Sequence, residues 1–108
     1  TWRNLRRFTT EQLLRVILHE LHEVWREGIR RGLDVNGLVE LKLSGLWNEL
    51  KRRLARRGIY LSDDQLWEVI REVARGNEVG KMILYEMGYR SLYFSSSGPD
   101  YEVVIRFE

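Results

Sequence analysis

The fold of this chain is decided by two stretches of alternating apolar and polar residues, LVELKL at residues 38–43 and LYFSSSGPDYEVVIRF at residues 92–107. Alternation with a period of two is typical of a strand that buries one face. The second stretch holds two such runs, joined by the polar turn sequence SSSGPD at residues 95–100. We therefore expect a three-stranded antiparallel sheet whose last two strands form a hairpin.

Helices are expected before and after the first strand along the chain. Thr9 with Gln12, and Ser62 with Gln65, have the spacing of a capping box at a helix start. The first helix should run from residue 9 to about residue 31, followed by turn material at residues 34–37. Further helices are expected at about residues 45–57, with Ser44 as the N-cap, at 63–75 and at 78–87.

The composition limits the class of protein. A chain of 108 residues suits a single domain, in which we expect residues 1–8 to form a flexible basic arm and residues 9–31 the long first helix. The absence of cysteine excludes disulfides, Cys-ligated zinc, iron–sulfur clusters and a Cys nucleophile. No apolar run is long enough to cross a membrane and no signal-peptide pattern is present, so we expect a cytoplasmic protein.

The charge is divided unequally along the chain. Residues 1–60 hold 13 Lys or Arg and 7 Asp or Glu, which gives +6, whereas residues 61–108 hold 5 and 9, which gives −4. A basic half favours contact with a polyanion, and two unlike halves also favour self-association.

The densest group of cations is KRRLARR at residues 51–57, on the expected second helix. Five cations in seven residues exceed what stabilisation of a helix C-terminus requires, so this basic run favours contact with phosphates. A solvated face, or pairing with acids, is the alternative. Arg3, Arg6 and Arg7 form a second basic group, suited to an arm that lies over phosphates or in a minor groove.

The order strand, helix, helix and hairpin after a long first helix resembles the winged-helix (winged helix-turn-helix) superfamily. The resemblance covers Thr9 to Phe107 and lies in element order, not in a residue motif. It implies an α+β winged helix-turn-helix fold with three to four helices and a hairpin wing. The Arg-rich, Cys-free character also looks like that of winged-helix proteins from hyperthermophilic archaea and their viruses.

The resemblance implies that the helix at residues 63–75 lies in the position that reads the major groove. A second register stays open, in which the helices at residues 63–75 and 78–87 form the helix-turn-helix. The first register is preferred, because a strand precedes Ser44 where the fold requires one.

These features together predict a DNA-binding protein without enzymatic activity, expected to be a transcriptional regulator that acts as a homodimer on duplex DNA. Gln65 and Arg71 have side chains suited to reading bases. The residues expected to contact DNA are Lys51, Arg52, Arg53, Arg56, Arg57, Gln65, Arg71, Arg75, Ser96 and Ser97.

A second hypothesis is a winged-helix module for protein–protein interaction or dimerisation, without DNA binding. Four acids on the expected recognition helix would be repelled by phosphates, although Arg71 and Arg75 are placed to pair with two of them. Trp and Tyr are favoured anchors at protein interfaces. The acids are Asp63, Asp64, Glu68 and Glu72, and the candidate exposed aromatics are Trp2, Trp67, Tyr89 and Tyr93.

No catalytic group, metal or cofactor is expected. His19 and His22 are three residues apart, not four as in the zinc-protease motif, and their helical positions predict a solvated face. A weak metal site of these two residues with Glu23 is the alternative. Asp63 and Asp64 fall in the first turn of a helix, where the helix dipole alone favours negative charge.

Overall fold

Within residues 8–108, the part of the chain that the computed structural model describes, four helices accompany a four-stranded antiparallel sheet. The α+β class is therefore confirmed. The expectations for the basic arm, Arg3, Arg6, Arg7 and Trp2 lie outside the described residues. The elements in chain order are α1 (Thr10–Arg30), β1 (Asp34–Val35), β2 (Leu38–Glu40), α2 (Leu46–Arg56), α3 (Asp63–Ala74), α4 (Glu78–Glu86), β3 (Leu92–Ser95) and β4 (Val104–Phe107).

Both predicted capping boxes are confirmed. The Thr9 hydroxyl accepts from the backbone N–H of Gln12 at 3.1 Å, and the Gln12 side chain accepts from the backbone N–H of Thr9 at 3.0 Å. Ser62 and Gln65 make the same reciprocal pair at 3.2 and 2.9 Å. Each cap contributes about 1 kcal/mol, so the starts of α1 and α3 are fixed by local sequence.

The prediction of three strands is wrong, because residues 34–37 are not only a turn. They comprise a short strand, β1, and the turn that joins it to β2 in a hairpin. Asn36 and Gly37 have φ values of 52° and 82°, as a two-residue hairpin turn requires. This turn leaves Asp34 and Val35 free to pair with β2. The sheet order is β1-β2-β4-β3, so the three expected strands are present and β1 adds one edge.

The first expected strand is also shorter than predicted, ending at Glu40 and not at residue 43. The Glu40 carboxylate accepts hydrogen bonds from the next backbone N–H groups, which turns the chain out of the sheet. Leu43 is consequently 87% exposed. The three donors are the backbone N–H groups of Lys42, Leu43 and Ser44, at 2.6, 3.0 and 3.1 Å.

The cap of α2 differs from the prediction as well. Gly45, with φ of 82°, is the N-cap residue, and Ser44 lies one position before it. The Ser44 hydroxyl donates to the carbonyl of Glu40 at 2.6 Å and accepts from the N–H of Leu46 at 3.2 Å. Ser44 therefore still helps to start the helix, but as part of the preceding turn.

The hydrophobic core lies between α1, the other helices and the sheet. Helix α1 packs against α2 and α4 and also touches β2 and β4. Gly28 allows the close approach to β2, since a Cβ atom there would lie 2.6 Å from a methyl group of Val39. Fully buried side chains of this core include Ile17, Leu21, Val24, Val39, Leu50, Leu66, Ile70, Leu84 and Ile105.

The solvated position predicted for His22 is wrong, although His19 is exposed as expected. The Nε2 atom of His22 lies 2.8 Å from the hydroxyl oxygen of Tyr89, and its ring packs edge-on against Phe107 at 5.0 Å. Burial lowers the pKa of His22 below its ordinary value, which favours the neutral ring. Tyr89 belongs to this half-buried cluster and is not an exposed aromatic. Residues 8–108 hold no group of three or more potential side-chain ligands for a metal.

Candidate nucleic-acid interface

The basic run of residues 51–57 is extensively paired with acids. Glu20 on α1 is buried, with 6% of its surface exposed. Its two carboxylate oxygens accept from Arg53 at 3.0 Å and from Arg57 at 3.1 Å. A buried carboxylate requires such partners, so two of the predicted DNA contacts have a structural role between α1 and α2.

Lys51 also has a structural partner. Its ammonium group donates to Asp63 at 2.7 Å, and the indole N–H of Trp47 donates to the same carboxylate oxygen at 2.9 Å. The hydrogen bond from Lys51 is the main reason that the pKa of Asp63 falls from 3.8 to about 2. Asp63, the first residue of α3, therefore links that helix to α2. The sequence suggested only a favourable interaction with the helix dipole for this residue.

Arg52 and Arg56 are the most accessible cations of the basic run. Both reach Glu49, at 3.0 and 3.5 Å, while their side chains remain 63% and 69% exposed. Exposed ion pairs of this kind contribute about 1 kcal/mol or less, so a phosphate can replace Glu49 at little cost. Of the five predicted cations, these two remain suited to contact with a ligand.

Apart from Gln65, the other predicted residues line a cleft between α3 and the β3–β4 hairpin. We call this space, of about 600 Å³, the α3–hairpin cleft. It brings together four of the predicted site residues, two from each side. Its lining comprises Trp67, Arg71 and Ala74 from α3, the C-cap residue Arg75, residues 91–97 from the hairpin side, and Glu108.

Arg71 lies over the ring of Trp67, with 4.7 Å between its central guanidinium carbon and the ring centre. Trp67 packs in turn against Phe94 of β3, at 5.7 Å and a ring angle of 66°. Trp67 is half-buried. The predicted pairing of Arg71 with Glu68 is not among the described ion pairs. Among the described ion pairs, none includes Arg71 or Arg75.

Two residues that line the cleft each have a buried N–H group without an acceptor among the described residues. These groups are the indole Nε1–H of Trp67 and the Nε–H of Arg71, and both atoms are out of contact with solvent. Leaving a buried donor unsatisfied costs about 1–3 kcal/mol. Both residues were named from the sequence, but their unsatisfied N–H groups could not be predicted from it. Their separation of four residues indicates only that they lie on one face of the helix.

Gln65 and Ser96 use their polar groups in local hydrogen bonds. The Gln65 side-chain oxygen accepts from the N–H of Ser62 in the capping box, so that oxygen is already used. The Ser96 hydroxyl donates to the carbonyl of Gly98 at 2.6 Å and accepts from its N–H at 3.1 Å, which shapes the hairpin turn. Ser97 is exposed.

The chain matches no protein-family model, no curated protein and no solved structure. None of the helices in residues 8–108 is both long and apolar enough to cross a bilayer.

Proposed function

We propose that the chain is a winged-helix protein that binds duplex DNA through α3, the β3–β4 hairpin and the exposed arginines of α2. The order β2-β4-β3 within the sheet, with α2 and α3 between β2 and β3 along the chain, supports the winged-helix assignment. Strand β1 and helix α4 are additions to the simplest plan of that fold.

The observation that carries the proposal is the content of the α3–hairpin cleft. Arg71 and Arg75 line it opposite a Ser-rich hairpin, and neither is neutralised by a described carboxylate. Arginine and serine are both common donors to DNA phosphates. In a winged-helix protein, the recognition helix and the wing approach the duplex together, so a backbone phosphate would meet the cleft between them.

The proposal moves the main phosphate contacts away from the basic run. Lys51, Arg53 and Arg57 hold Asp63 and Glu20, whereas Arg52 and Arg56 pair only with the partly exposed Glu49. Arg52 and Arg56 are therefore supporting contacts, and the α3–hairpin cleft is the main one.

The test is fluorescence anisotropy of a mixed-sequence duplex at about 50 mM and about 200 mM salt. We expect affinity to fall steeply with salt and the double variant Arg71→Gln/Arg75→Gln to reduce the salt slope by about 2. A double variant at α1 and its C-cap, Arg26→Gln/Arg31→Gln, removes the same charge and should leave the slope nearly unchanged. No binding at the lower salt concentration would overturn the proposal.

A second candidate function is a homodimerisation or protein-interaction module. It is favoured by the acid pairing of the basic run and by apolar side chains on α4, where Met82 and Tyr85 are 41% and 80% exposed. A complex of this kind should survive moderate salt, because apolar contacts are not screened. Sedimentation at both salt concentrations distinguishes it from a salt-sensitive DNA complex.

A further inference from the structure

We infer that Trp67, Arg71 and Arg75 form a site for a single phosphate group in the α3–hairpin cleft, and that Arg71 covers Trp67 when the site is empty. The identification of the ligand as a backbone phosphate rests on the proposed function. The existence of the site rests on the donors and charges of the cleft.

The described tryptophans differ in whether the indole N–H has an acceptor. Of the three tryptophans in residues 8–108, Trp25 donates its indole N–H to the carbonyl of Gly37 at 2.8 Å, and Trp47 donates to Asp63 at 2.9 Å. The Trp67 indole has no such partner, and neither does the Nε–H of Arg71 one turn away. The fold thus satisfies the other described indoles, whereas these two neighbouring donors have no acceptor within residues 8–108 and are available to a ligand.

The charged side chains that line the cleft are mainly positive. Arg71 and Arg75 bring two positive charges to the cleft, and the one described acid in its lining is Glu108. The Glu108 carboxylate accepts from Arg106 at 2.9 Å, so it is already paired with an arginine that does not line the cleft. The cleft therefore favours an anion, and the guanidinium geometry favours an oxyanion with several acceptor oxygens.

The hairpin side of the cleft is rich in serine. Residues 95–97 are all serine and all contribute to the lining. The Ser96 hydroxyl already donates to the carbonyl of Gly98, so Ser95 and Ser97 supply the hydroxyl donors on this side of the cleft. A tetrahedral phosphate has oxygens that accept from two sides at once, whereas the two oxygens of a carboxylate are planar. Donors from both walls therefore favour phosphate.

Access to the two N–H groups requires a movement of Arg71. The atoms themselves are covered, although the Trp67 and Arg71 side chains are only half-buried. Rotation of Arg71 away from the indole gives up the cation–π contact with that ring. Charge-assisted hydrogen bonds to phosphate are stronger than that contact, so binding favours the open position.

The test follows side-chain N–H resonances of ¹⁵N-labelled protein during titration with inorganic phosphate. We expect saturable shifts of the Trp67 indole N–H and the Arg71 Nε–H, while the indole signals of Trp25 and Trp47 stay in place. The variant Trp67→Phe removes one indole signal and so assigns it. Absence of a shift at Trp67 and Arg71 would overturn the inference.

A matched pair of variants separates the site from general attraction to cations. Arg71→Lys keeps the charge but lacks the Nε–H and the planar group, so we expect the apparent Kd for phosphate to rise about tenfold. Arg52→Lys makes the same change on α2 and should leave the Kd unchanged. Equal effects of the two substitutions would contradict a defined site.

Two further ligands identify the anion. Dimethyl phosphate, a diester like the DNA backbone, should produce the same shifts, and acetate should not. Response to inorganic phosphate alone would overturn the backbone assignment, and equal response to acetate would overturn the preference for phosphate. Duplex binding without a phosphate-induced shift would contradict this inference and leave the proposed function standing; the reverse result would contradict the proposed function alone.

Discussion

The arginines of α2 and those at α3 differ in whether they are paired with carboxylates. The cations of residues 51–57 all contact carboxylates, those of Glu20, Glu49 and Asp63. On α3, Arg71 lies on the ring of Trp67, and neither it nor Arg75 belongs to a described ion pair. The difference shows that the cations of a dense basic run can be needed to neutralise acids of the same chain. A smaller number of cations without acid partners is then the better candidate for a phosphate contact.

The largest effect on the free energy of unfolding is expected where Arg53 pairs with the buried Glu20. Replacing Arg53 by Met leaves the buried carboxylate with Arg57 alone. Loss of one partner of a fully buried pair costs about 3–5 kcal/mol, and we expect about 2 kcal/mol here because Arg57 remains. Urea unfolding measures this change.

The control for that substitution is Arg52→Met, which removes the same charge from an exposed pair with Glu49. It should change the free energy of unfolding by less than about 1 kcal/mol. Equal destabilisation by the two substitutions would show that the pairs with Glu20 have no special structural role.

A smaller effect is expected at Asp63, and it depends on pH. The pKa of Asp63 is lowered from 3.8 to about 2 in the folded state, so the unfolded state takes up the proton first as pH falls. The stability that Asp63 contributes is therefore complete above about pH 4 and is lost progressively towards pH 2.

The substitution Asp63→Asn tests this dependence. It should lower the free energy of unfolding at neutral pH, by less than Arg53→Met, and the difference from the native protein should shrink towards pH 2. Denaturant unfolding at several pH values measures it. A difference that stays constant from pH 7 to pH 2 would contradict the hydrogen bond from Lys51 as its cause.

The smallest effect on stability is expected in the cleft. Trp67→Phe removes an indole N–H that has no acceptor, so the loss of apolar contact is offset and the unfolding free energy should change by less than about 1 kcal/mol. Trp47→Phe removes an indole that donates to Asp63 and should cost more. Thermal unfolding compares the two, and a larger loss for Trp67→Phe would contradict the unsatisfied donor.

The parts of the fold that depend on local spacing could be predicted from the sequence. Thr9 with Gln12 and Ser62 with Gln65 are three residues apart, and the alternation in residues 92–107 predicts β3 and β4. Strand β1 could not be recognised by alternation, because it has only two residues, although Asn36-Gly37 is a strong hairpin signal.

The site could be predicted only in part. Arg71, Arg75, Ser96 and Ser97 were named from the sequence, and the structure brings them to one cleft. The pairing of Arg53 and Arg57 with Glu20 spans 33 and 37 residues, and no local pattern reports it. DNA binding, homodimer formation and cytoplasmic location stay predictions.

The most direct test of the central claim compares two double variants in duplex-binding anisotropy at several salt concentrations. Arg71→Gln/Arg75→Gln removes two cations from the α3–hairpin cleft, and Arg52→Gln/Arg56→Gln removes the two most exposed cations of the basic run. If the cleft holds the main phosphate contacts, the first variant loses more affinity and reduces the salt slope by about 2, and the second reduces it by less. An equal or larger loss for the α2 variant, with both proteins folded, would contradict the claim.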